Sequence, residues 1–232
     1  MARLARLTLP GQPHHIVHRG LNGQAIVADD ADRERLLAEL RESAALHRLA
    51  VHAYAMLDDR LHLLVTPDTA EGLSRAMQSL GRRYVAAFNQ RHSRSGTLWD
   101  GRFRAAPLEA AAHLLAGMRF IELAPGRTGA WFGEPGDYRW SSASHHLGRW
   151  RDPLIHDHAL FWGVGNTPFE REAAWRAWLA EGCSAAEAQA LNDSALKGWP
   201  LGGPAWMALV AKTTERPLAP RRRGRPPRQS GA

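Results

Sequence analysis

Two short apolar runs, Val51–Leu57 and Leu61–Thr66, flank the polar pair Asp58-Asp59 within AYAMLDDRLHLLVTP. This is the pattern of a hairpin of two buried strands. Side chains alternate faces along a strand, so Arg60 and His62 share one face and Leu61 and Leu63 the other. Upstream, His14–Arg19 (HHIVHR) alternates before Gly20-Leu21-Asn22-Gly23 and reads as a strand followed by a tight turn. Residues 31–49 place Leu36, Leu37, Leu40 and Leu46 at helical spacing, with Asp29 and Asp30 suited to the N-terminus. Residues 69–89 predict a second amphipathic helix with Leu73, Met77, Leu80, Tyr84 and Phe88 on its apolar stripe. Phe103–Leu108 can form another strand, and Ala110–Leu123 a helix stopped by Ala124-Pro125-Gly126. The order strand, helix, strand, strand, helix, strand predicts an α+β fold, a ferredoxin-like antiparallel sheet with helices on one face.

The pattern divides the chain into a main domain over 1–150, a helical region over 151–215 and a basic tail over 216–232. Trp162, Trp175, Trp178, Trp199 and Trp206 of the helical region are expected to pack a small satellite core. The tail is too rich in Pro and Arg to build a core, and its Arg221-Arg222-Arg223-Gly224-Arg225-Pro226 resembles an AT-hook, an extended segment that lays arginines into a narrow minor groove.

Composition narrows the partner. The formal charge of +7 over 232 residues comes mostly from arginine, which points to a polyanion and first to nucleic acid. The loop Gln90–Arg104 (QRHSRSGTLWDGRFR) interleaves Arg91, Arg94, Arg102 and Arg104 with Trp99 and Phe103, and the preceding helix shows Arg82 and Arg83. Cations for phosphates beside rings for unstacked bases make up a single-strand-binding surface. Nothing approaches the roughly 20 apolar residues of a membrane span, and the N-terminus lacks a signal sequence, so a cytoplasmic, nucleoid-associated protein with no membrane partner is expected. The single cysteine, Cys183, excludes an internal disulfide and a cysteine-built zinc site. His14, His15 and His18 invite a metal reading, but without partner spacing for a ligand set they read as outward-facing polar residues at a strand end.

Several segments in the right order resemble the REP-associated tyrosine transposases, small single-tyrosine HUH transposases of the insertion-sequence-200 type. They are His18-Arg19-Gly20, Ala53–Pro67, Ser74–Asn89 (SRAMQSLGRRYVAAFN), Arg94–Phe103 (RSGTLWDGRF), Phe120–Leu123 with Pro125, and Tyr138–Ser142. The resemblance implies cleavage of single-stranded DNA beside hairpins, with a tyrosine attacking phosphorus and a magnesium or manganese ion polarising the scissile phosphate. It also implies a DNA partner, single-stranded or hairpin, and a homodimer as one of two assembly states.

Position by position, the resemblance puts the nucleophile at Phe120 and the metal ligands at Arg60, His62 and Ala124, of which only His62 keeps a suitable group. Positions 120 and 124 are one helical turn apart and should jointly meet the outer face of the hairpin. Tyr84 and His113 are the candidates to replace the missing chemistry. Two function classes follow. One is a DNA-binding protein of transposase descent that needs no cofactor; the other is an active, magnesium- or manganese-dependent transposase using substitute residues.

Overall fold

The structure is a computed structural model, and residues 5–220 are described. The central hairpin forms as β2 (Leu49–Met56) and β3 (Arg60–Pro67). With β1 (His14–Arg19) and β4 (Arg104–Pro107) they make a four-stranded sheet in the order β2-β3-β1-β4. Every pairing is antiparallel. Helices α1 (Asp30–Leu46) and α2 (Gly72–Arg91) complete the ferredoxin-like unit. Asp29 caps α1 by accepting from the Asp32 amide at 3.1 Å, satisfying one of the donors a helix start leaves open.

The two faces of the sheet bury different residues. Ile16, Leu61, Leu63, Val65, Tyr54 and Met56 pack with Leu36 and Leu40 of α1 and Leu73, Leu80 and Tyr84 of α2. Ala53, Ala55, Leu57 and Leu64 pack instead with α3 (Ala110–Glu122). The predicted stop after α3 is a break between helices, because Ala124–Arg127 forms a further turn, α4. Pro125 sits in its first turn, where a missing N–H removes no intrahelical bond.

Two expectations are corrected. His14 and His15 are fully buried and His18 is 5% exposed, because β1 is an interior strand with both faces covered. Among the described residues the tryptophans do not share one satellite core: Trp175, fully buried, joins the second face of the sheet together with Trp178, Trp206 packs against a small separate cluster of Leu7, Leu9 and Val210, and Trp162 is 51% exposed. After α5 (Ala143–His146), the helical region comprises α6 (Ala159–Trp162), α7 (Pro168–Glu181), α8 (Ala185–Lys197) and α9 (Pro204–Thr213). Of these, α8 lies against β4, β1 and α3. The segment Tyr138–Ser142 runs along the edge of β2, with the Met56 amide donating to Trp140 and the Ser142 amide to Tyr54. It thereby covers a strand edge that would otherwise offer unpaired backbone groups. Among the described residues no helix is long and apolar enough to cross a membrane.

Candidate functional site

Strand pairing assembles the site. Val17 stands opposite His62, Arg19 opposite Arg60 and His15 opposite Leu64, and directly paired residues project to the same face. This is the face covered by α3, so His15, Val17, Arg19, Arg60 and His62 share it with Phe120. The His15 and His62 rings stack with centroids 5.5 Å apart, and His15 Nε2 lies 3.2 Å from His62 Nδ1. The Phe120 ring meets both edge-on, at 5.5 and 6.3 Å. Phe120 and Ala124 are 4% and 1% exposed and belong to one cluster, as their one-turn spacing requires.

The turn of α4 returns Arg127 over Phe120. Its guanidinium carbon lies 3.8 Å from the ring centroid, and Nη1 donates to the Phe120 carbonyl at 2.5 Å. Burial pushes the His15 imidazole down to about 4, partly countered by the backbone of Leu191 on α8. His62 is held well below the ordinary range by burial first, then by His15, Arg127, Arg60 and Arg19. Both rings are therefore neutral at pH 7, wedged between the sheet, α3 and α8.

The resemblance implies a divalent ion here, and the residues do not fit one. The two imidazoles engage each other, Ala124 has no donor atom, and three arginines add positive charge beside His62. Arg60 is held by Asp59 through two contacts, of 2.8 and 2.6 Å. Arg19 faces Arg60 and Arg104, with only Asp59 and Asp100 as opposing charges. Cations crowd the open end of this face.

The other expected DNA contacts separate. Arg83 pairs with Glu39 and Glu42 at 2.8 Å each, and Arg91 with Asp29 and Asp32 at 2.6 Å each, so both hold α1 to α2 or to the turn before it. Arg94 donates to Gln24 at 2.9 Å. Arg82, Arg102 and Arg104 are exposed. Trp99 and Phe103, expected as free stacking rings, are 6% and 7% exposed. Trp99 stacks on His18 at 3.9 Å and packs in the core beneath α2. With Arg6, Arg75 and Arg102 these rings line a cavity of about 780 Å³ on the α2 face. Arg221, Arg222, Arg223 and Arg225 lie outside the described residues.

Neither substitute candidate reaches the site. Tyr84 is 1% exposed on the opposite face of the sheet and donates to the Ile26 carbonyl at 2.5 Å; burial pushes its hydroxyl far above the ordinary range. His113 is half-buried with Glu109 and Glu187 as its charged neighbours. Sequence reasoning missed His15, Arg19 and Arg127. The strand register would have found the first two, since an antiparallel pair places 15 diagonally to 62 and 19 opposite 60.

Residues 11–122 match the family model described as "Transposase IS200 like". That stretch, just under half of the chain, is similar to the IS200-like transposases. The structure is also similar to that of a REP-associated tyrosine transposase bound to a REP hairpin, with a TM-score of 0.55 at 14% identity over 68% of this chain and 92% of the other. That likeness concerns the fold, and it extends past the matched stretch. A putative transposase from Deinococcus radiodurans aligns at 22% identity over 50% of this chain and 91% of the other, but its TM-score of 0.36 is too low to bear on the fold. No curated protein matches the chain.

Proposed function

We propose that this transposase-family chain binds single-stranded or hairpin DNA without cutting it. The observation that carries this reading is the group around Phe120: a buried ring without a hydroxyl, two neutral imidazoles joined to each other, and Arg127 laid over the phenyl ring. A phenyl ring cannot attack phosphorus, and the permanent charge of Arg127, which acts on His62, opposes a metal ion there. Arg19, Arg60 and Arg104 stand at the mouth of the same face as an excess of like charge, which an anionic backbone would relieve. The hairpin complex of the REP-associated relative supports hairpin DNA as the ligand class.

The test combines a mobility shift with a covalent assay on a labelled hairpin oligonucleotide. Binding that weakens steeply with salt and persists in chelator is expected, with no protein–DNA adduct when manganese is added. An adduct formed by the unmodified chain would overturn the reading in favour of the active, metal-dependent transposase.

A further inference from the structure

Glu122, two residues after Phe120, faces a second histidine cluster. It is 1% exposed and accepts from three donors: Ser142 Oγ and His146 Nδ1 on one oxygen, each at 2.5 Å, and Trp175 Nε1 on the other at 2.8 Å. A carboxylate accepts only, so His146 Nδ1 carries a hydrogen, and in the neutral ring the lone pair is on Nε2. That Nε2 is fully buried and has no hydrogen-bond partner. It points at an anion, because Asp157 Oδ1 lies 3.7 Å away, and His145 Nε2 reaches the same oxygen at 3.3 Å. A lone pair and a carboxylate oxygen turned toward each other at this distance leave room for a positive charge between them.

We propose that His146 Nε2, the Asp157 carboxylate and His145 Nε2 bind a divalent transition ion of the zinc type, fastening α5 to the segment that leads into α6. One ligand atom from each of these three residues lies within 4.8 Å of the other two. Ligands about 2.0–2.2 Å from a tetrahedral ion are about 3.3–3.6 Å apart, close to the 3.3 and 3.7 Å that separate Asp157 Oδ1 from the two imidazole nitrogens. The group opens onto a cavity of about 430 Å³ lined also by Phe161, Trp162, Arg171 and Glu172, leaving space for a water ligand. Arg171 is the neighbouring cation, but it donates to the Gly165 carbonyl at 3.0 Å and lies over Trp162. Glu122 behind His146 is the carboxylate–imidazole support that orients a metal-binding histidine and raises its basicity.

The first histidine requires a proton shift. His145 Nδ1 accepts from the Asp152 amide at 3.0 Å, so its hydrogen is on Nε2 and is donated to Asp157. When the ion takes the Nε2 lone pair, that hydrogen moves through solvent to Nδ1 and the Asp152 contact opens, with no net proton released from the ring.

The test is a titration of the metal-free full chain with cobalt(II). One equivalent with a tetrahedral visible spectrum is expected, and Asp157→Asn should weaken binding by about tenfold or more. No binding, or wild-type affinity in a folded Asp157→Asn variant, overturns the proposal. Should that variant fail to fold, the wild-type chain decides. Zinc should shield His145 from carbethoxylation, read by peptide mapping that separates it from the other histidines; equal labelling with and without zinc overturns the site.

Discussion

Phe120 and Glu122 lie two residues apart on α3, and each serves a different histidine cluster. Around Phe120, His15 and His62 meet three arginines and no carboxylate contact, so both imidazoles stay neutral and pair with each other. Around Glu122, His146 is gripped by one buried carboxylate and turns its free nitrogen toward another. The ring chemistry is the same in both. What separates the clusters is the charge at each ring's second nitrogen, which decides whether an imidazole is filler, anion anchor or metal ligand.

The sharpest way to break this comparison is to exchange the supporting residue. Glu122→Leu leaves the His146 Nδ1 and Trp175 donors buried without an acceptor and Ser142 with only its 3.4 Å contact to the Tyr54 carbonyl, the costly way to dismantle a buried polar group. The expected loss is about 3–5 kcal/mol, a fall in Tm on the order of ten degrees for a chain of this size. His62→Leu deletes a neutral imidazole with one hydrogen-bond partner, His15, and should cost about 1 kcal/mol. Equal losses in calorimetry would show that the clusters do not differ in the way described.

A pH series sharpens the same contrast. Burial lowers His14, His15, His18 and His52 to about 4 and holds His62 well below its ordinary value of 6.5. Below 6.5 the unfolded chain takes up protons that the folded chain refuses. Stability is thus fully present above about pH 6.5 and drains away as pH falls toward 4. Urea unfolding at about pH 7 and about pH 5 should show the decline. In His62→Leu the slope should be shallower by up to about one proton; an unchanged slope would mean that His62 is not held neutral.

The hairpin, the strand order and the meeting of position 120 with His62 were legible in the sequence, because period-two and one-turn spacings are local and directly encode which residues share a face. What stayed hidden depended on contacts far along the chain. Arg83 and Arg91 read as free cations because a charge run does not disclose its partners, here Glu39, Glu42, Asp29 and Asp32. Trp99 read as a base platform because an aromatic in an arginine loop looks the same whether it faces solvent or packs under α2. His145 and His146 carry no recognisable spacing to Asp157, which reaches them only through the fold.

Those contacts divide the arginines into two sets for DNA binding. Arg102→Ala and Arg104→Ala, at exposed positions, should each flatten the dependence of log affinity on log salt by about 0.7 for a single strand, one phosphate contact apiece. Arg91→Ala should leave that slope alone and lower stability instead, since its guanidinium is engaged by Asp29 and Asp32. Fluorescence anisotropy over a salt series distinguishes the sets; a flatter slope in Arg91→Ala would return the start of that loop to the DNA surface.

The smallest expected effect belongs to Phe120→Tyr. Restoring the hydroxyl at the position the resemblance gives to the nucleophile puts an oxygen beside His15 and His62, yet it brings no metal ligand and leaves Arg127 over the ring. Groups that act as one constellation fail together, so the single change should yield no covalent product on a hairpin substrate with magnesium or manganese. Arg60→His and Ala124→Asn would have to be added before metal-dependent cleavage could appear. Even that triple variant keeps Arg127, whose positive charge acts on His62 and would oppose a bound cation. Adding Arg127→Ala to the triple variant should therefore raise the yield of 5′-linked product further. If Phe120→Tyr alone forms the adduct, the cluster needs no added ligand, and the contrast between the two ends of α3 is one missing oxygen.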